Sequence, residues 1–156
     1  MNKLEKLEQD AFDDKVRVYD FYLGEETLKG FYTDGNIAIN TSVNDSREKT
    51  CVLAEELGHY YTTTGDILDQ SDTMNRKQEY RARLWGYNRL IGLMGIINAY
   101  IHGCQTLYEM AAYLDVTEEY LREAIFCYKN KYGVYKKIDN YVVYFEPCLK
   151  VCEILD

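Results

Sequence analysis

The run Cys51-Val-Leu-Ala-Glu-Glu-Leu-Gly-His-Tyr60 constrains this chain more than any other, because it sets ligand-type side chains into a stretch otherwise built for burial. It reads as an altered HExxH. In the intact motif, two histidines four residues apart hold a metal from one helical face, and the glutamate beside the first acts as general base. Here Glu55 stands at the first histidine position and His59 at the second. That spacing puts Glu55 and His59 one above the other on a helix, while Glu56 points about 100° away. A carboxylate and an imidazole can share one metal. The competing reading makes Glu55 and Glu56 surface carboxylates and His59 a histidine at the edge of a core.

A catalytic zinc takes three protein ligands and keeps a position open for water, so a third ligand must come from elsewhere. Glu79 is the favoured source. It opens the helical pattern Glu79-Tyr-Arg-Ala82-Arg-Leu-Trp85, in which the small Ala82, one turn on, would let two helices approach closely. Asp66, Asp69 and Asp72 are rivals in the polar stretch that follows His59. Two carboxylate ligands and Glu56 would set three formal negatives around a divalent ion, which leaves less positive potential to acidify a bound water. Oxygen-rich ligation also suits manganese better than it suits zinc. Zinc is the first expectation and manganese the second.

Together with Gly35-Asn-Ile-Ala-Ile-Asn40, the stretch Ala54-Glu-Glu-Leu-Gly-His-Tyr-Tyr-Thr62 and the spacing Glu79-x-x-Ala82 resemble the ImmA/IrrE family of metallo-endopeptidases. The resemblance runs from about Gly30 to Pro147. It implies a zincin-like α+β fold, with Glu55, His59 and Glu79 as metal ligands, Glu56 as base, and a substrate that is a repressor or other regulatory protein of a mobile element. Glu55 departs from the family pattern, which has histidine there. The alternative function is a protein that kept the fold and the partner surface but binds the repressor without cutting it.

A chain of 156 residues suits a single domain. Within it, residues 1–93 would hold the sheet and the site helices, and residues 94–156 a helical pair and a hairpin. No stretch is apolar enough to span a membrane, and the charged N-terminus lacks the core of a secretion signal, so the cytoplasm is expected. Five cysteines, odd in number and without a CxxC pair, read as reduced and mostly buried thiols. The net charge of −8 opposes attraction to nucleic acid and favours a basic protein partner such as a DNA-binding repressor.

Along the chain, Leu4, Leu7, Phe12, Val16, Tyr19 and Leu23 fall near the helical period and suggest an amphipathic helix over residues 2–23. Asp34-Gly35 between two short apolar runs signals a hairpin. Its sheet would lie beside the metal-binding helix, where an edge strand takes an extended substrate, and the sequence leaves open whether Ile37–Asn40 is that edge. Asn44, Asp45 and Ser46 offer caps to the motif helix, which should run to about Thr63. Tyr60 and Tyr61 read as packing residues, with a role at a developing oxyanion as the alternative. A loop is expected from Gly65 to Asn75, then a helix from Glu79 to about Leu93, then a short one ended by Gly103 with His102 near its cap. Thr106 and Thr117 mark a helix-turn-helix-like pair. The residues that would face DNA bases are Glu118, Glu119, Arg122 and Glu123, whose three acids argue against DNA binding. A second hairpin turns at Asp139-Asn140, and Pro147 closes its outer strand.

Overall fold

The computed structural model describes residues 1–24, 28–63 and 72–155. It is an α+β fold, and the chain divides into two compact units, Met1–Gly86 and Tyr87–Asp156.

The first unit starts with α1 (Lys3–Asp13), opened by a capping box in which Asn2 and Glu5 each satisfy the other's backbone amide. The helix is shorter than the periodicity suggests. Asp14 caps it and Lys15, at φ 61°, turns the chain. Val16, Tyr19 and Leu23 therefore lie outside it, and residues Arg17–Phe21 form β1. Leu7 and Ala11 make the buried stripe of α1, whereas Phe12 is exposed.

Strands β2 (Gly30–Thr33) and β3 (Asn36–Asn40) form the expected antiparallel hairpin, with Asp34 and Gly35 both at positive φ as a tight two-residue turn requires. β1 pairs parallel to β3, which gives the order β1-β3-β2. Ile37–Asn40 is thus the centre of the sheet, and the edges are β1 and β2. Ile37 and Ile39 are fully buried on one face, and β2 and β3 pack against α2 (Ser46–Thr62). Asp45 caps α2 through the amide of Arg47. Asn40, also buried, donates to the carbonyls of Gly24 and Leu28 and accepts from the amides of Leu23 and Ser42, so it ties these four residues to the end of β3.

Helix α3 (Asp72–Leu90) begins earlier than the loop expected up to Asn75 allows, since Asp72 to Asn75 are already helical. Of the three rival ligands, Asp66 and Asp69 lie outside the described residues, as does most of that loop, and Asp72 is the first residue of α3.

The second unit carries α4 (Gly92–His102), α5 (Leu107–Leu114), α6 (Glu118–Tyr132) and a separate antiparallel sheet of β4 (Tyr135–Ile138), β5 (Tyr141–Tyr144) and β6 (Lys150–Glu153). A break at Ile91 and Gly92, the latter at φ 63°, ends α3 before Leu93. Gly103 closes α4 in the left-handed conformation, and Thr106 and Thr117 cap α5 and α6. The hairpin β4–β5 does not extend the first sheet. It gains β6, which the sequence pattern does not predict, and packs on α4 and α6. None of the five cysteines forms a disulfide, but only Cys51 is buried, fewer than expected. Among the described residues no single helix is long and apolar enough to cross a membrane.

Candidate metal centre

Two helices of the first unit build the site. α2 presents Glu55 and His59 one turn apart, and α3 brings Glu79 to meet them. One ligand-type atom from each of the three lies within 4.8 Å of the others. His59 Nε2 and Glu79 Oε1 lie 3.3 Å apart. Ligands about 2.0 Å from a tetrahedral zinc are separated by roughly 3.3 Å, so this edge already has the length a bound ion would need. Two carboxylates and an imidazole converging on one point make a donor set that fits a divalent cation.

What allows α3 so close is a glycine. A Cβ on Gly58 would sit 2.2 Å from the carbonyl oxygen of Ala82, so the two backbones cross with nothing between them. The sequence signals the small Ala82 but not its partner, because a glycine inside a helix has no meaning until the opposing surface is known. Ala82 itself is fully buried at the crossing.

Glu56 takes the neighbouring quadrant and is buried, at 9% exposure, against the edge strand β2. A Cβ on Gly30 would come within 3.0 Å of the Glu56 Oε1 atom, so the strand makes room for this carboxylate by lacking a side chain there. Burial, and then the negative charges of Glu55 and Glu79, push the Glu56 pKa up from 4.5 to about 8. In the metal-free protein the folded state therefore keeps a proton that the unfolded chain has lost between these two values. Stability contributed by Glu56 must fall as pH rises through that window and stay level outside it. Urea denaturation of metal-free protein at pH 5 and at pH 8.5 tests this. Wild type is expected to lose up to about 1.4 kcal/mol per pH unit more than Glu56→Gln across the window, and parallel curves would place the glutamate in water.

Arg83, one turn beyond Glu79, also reaches the site. Its Nε lies 3.4 Å from Glu55 Oε1 and 3.9 Å from Glu79 Oε2. The signal was its i, i+4 spacing from Glu79, which on its own is common on helix surfaces.

The remaining sequence candidates fall elsewhere. Tyr61 stacks on Trp85 at 4.8 Å and donates its hydroxyl to Asp14; burial and that carboxylate push its pKa up. Tyr60 packs edge-on against Tyr32 and Tyr61. His102, in the last turn of α4, stacks on Tyr113. In the second unit Glu118 and Arg122 pair with each other at 2.7 Å, and Glu123 accepts from the hydroxyl of Tyr87.

The family model of Peptidase_M78, the IrrE N-terminal-like domain, matches residues 13–126, well over half of the chain. None of the curated proteins and none of the solved structures is significantly similar to it.

Proposed function

This chain belongs to the Peptidase_M78 family of IrrE N-terminal-like domains, and from that premise we propose that it is a metal-dependent endopeptidase of the ImmA/IrrE type. Membership makes it a metallopeptidase-family protein and implies a divalent metal. The observation that carries the proposal is the convergence of Glu55, His59 and Glu79 within 4.8 Å of one another. These three would hold the ion, with zinc first and manganese second because of the two carboxylates. When bound, the ion supplies Lewis acidity toward the scissile carbonyl.

The remaining chemistry belongs to the chain. Glu56 accepts a proton from the attacking water at its carboxylate and returns it to the departing amine. A buried carboxylate pushed toward neutral pH suits both directions of that transfer. Among the described residues β2 pairs with β3 alone, so its outer edge offers backbone groups to an extended peptide. A peptide added there would run past Gly30 and the carboxylate beside it.

The substrate we infer is a DNA-binding repressor or other regulatory protein of a mobile element, met in the cytoplasm. A net charge of −8 favours a basic partner of that kind. The test is fragment formation from such a repressor by wild type and by Glu56→Gln. Fragments that depend on Glu56 support hydrolysis. Repressor inactivated without fragments would move the function to binding alone.

A further inference from the structure

The ligand set carries one more negative charge than a set with histidine at position 55 would, and the site contains a side chain that answers it. We propose that Arg83 is a positioning residue of the metal centre, which makes Glu55 workable as a ligand by holding the two carboxylates in place and cancelling the added charge. The inference rests on the metal reading above and goes beyond it, since it concerns a residue outside the ligand set.

Three observations support it. First, Glu79 divides its oxygens: Oε1 faces His59 Nε2 at 3.3 Å, and Oε2 faces Arg83 Nε at 3.9 Å. One oxygen is thus turned toward the point where the ligands converge and the other toward a cation, the arrangement in which a partner outside the ligand set orients a ligating carboxylate. Second, the same Nε reaches Glu55 Oε1 at 3.4 Å, so one guanidinium ties a carboxylate of α2 to a carboxylate of α3. Without it, two like charges would face each other across the crossing. Third, the charge count closes. The negative charge of Glu55 and the positive charge of Arg83 cancel, so a neutral histidine at 55 with no Arg83 would leave the same total. In charge, Glu55 with Arg83 is equivalent to the histidine it replaces.

A guanidinium repels a divalent cation, and Arg83 is 58% exposed, where a single ion pair contributes little. Orientation wins only if the carboxylates would otherwise splay apart, and that is what a double-mutant cycle reads.

Metal-free, tag-free protein would be titrated with zinc against a chromophoric chelator, for wild type, Arg83→Gln, Glu55→His and the double variant. Arg83→Gln is expected to weaken zinc binding about 10- to 100-fold in the native background, the range for loss of a partner that orients a ligand. In the Glu55→His background the same change is expected to matter by about threefold or less, the scale of an exposed ion pair. Arg83→Lys, which keeps the charge but not the fork, should fall between wild type and Arg83→Gln. Zinc bound as tightly or more tightly by Arg83→Gln overturns the inference, and so does an equal loss in both backgrounds, which a merely structural role would give. Wild type that takes up no zinc overturns the metal reading and this inference with it.

Discussion

Glu56→Gln is expected to slow cleavage of the partner protein by roughly 10²- to 10⁴-fold, the contribution of a positioned general base, while zinc uptake stays intact. Glutamine has nearly the shape of glutamate, so it fills the space that Gly30 leaves beside the side chain. It cannot accept the water's proton. Because the wild-type carboxylate is costly to ionise in its buried position, the neutral amide should leave the metal-free fold as stable or more stable at pH 8, so lost activity cannot be put down to unfolding. Fragment yield by mass spectrometry, with thermal melts alongside, reads both quantities. Activity that survives the substitution would assign the base elsewhere.

Gly58→Ala is expected to destabilise the protein by about 3 kcal/mol and to abolish zinc binding, a large effect for one methyl group. Two terms compete. Alanine in a helix interior gains about 0.5–1 kcal/mol over glycine from backbone entropy. Against that, the new Cβ would lie 2.2 Å from the Ala82 carbonyl oxygen and 2.8 Å from its carbon, and backbone cannot rotate away as a side chain can. The clash wins. α3 must move off α2, and Glu79 moves with it. Gly30→Ala provides the contrast: its nearest neighbours are side-chain atoms of Val52 and Glu56, which can give way, so the milder loss is expected there. A Gly58→Ala protein with wild-type melting temperature and zinc affinity would show that the crossing has room for a methyl group.

Much of this was legible before the structure, and for definite reasons. Local chemistry announced itself: Asp34-Gly35 as a turn, Asp45, Thr106 and Thr117 as caps, Gly103 as a left-handed stop. The convergence of Glu55 and His59 followed from helical spacing alone, and Glu79 from a small residue one turn on. What failed was continuity. Val16, Tyr19 and Leu23 happen to continue the helical period of α1, and a single residue at positive φ, Lys15, was enough to turn that stretch into a strand. Strand β6 buries only Val151, too little apolar pattern to stand out over four residues.

The site's supporting residues were illegible for a different reason. Gly58 and Gly30 matter through surfaces contributed by other elements, and Arg83 matters through two carboxylates on different helices. None of these relations leaves a trace at its own position. The place of Ile37–Asn40 is similar: alternation marks it as a strand, but only the pairing of β1 and β2 on either side makes it central and leaves β2 as the edge beside Glu56.

The most direct test of the account is the metal content of protein purified without a histidine tag, measured by plasma mass spectrometry for wild type, His59→Ala and Glu79→Ala. Near-stoichiometric zinc or manganese in wild type, lost in both variants, is the expected result. Wild-type protein that carries no metal and refuses added zinc and manganese would contradict a metal centre at Glu55, His59 and Glu79.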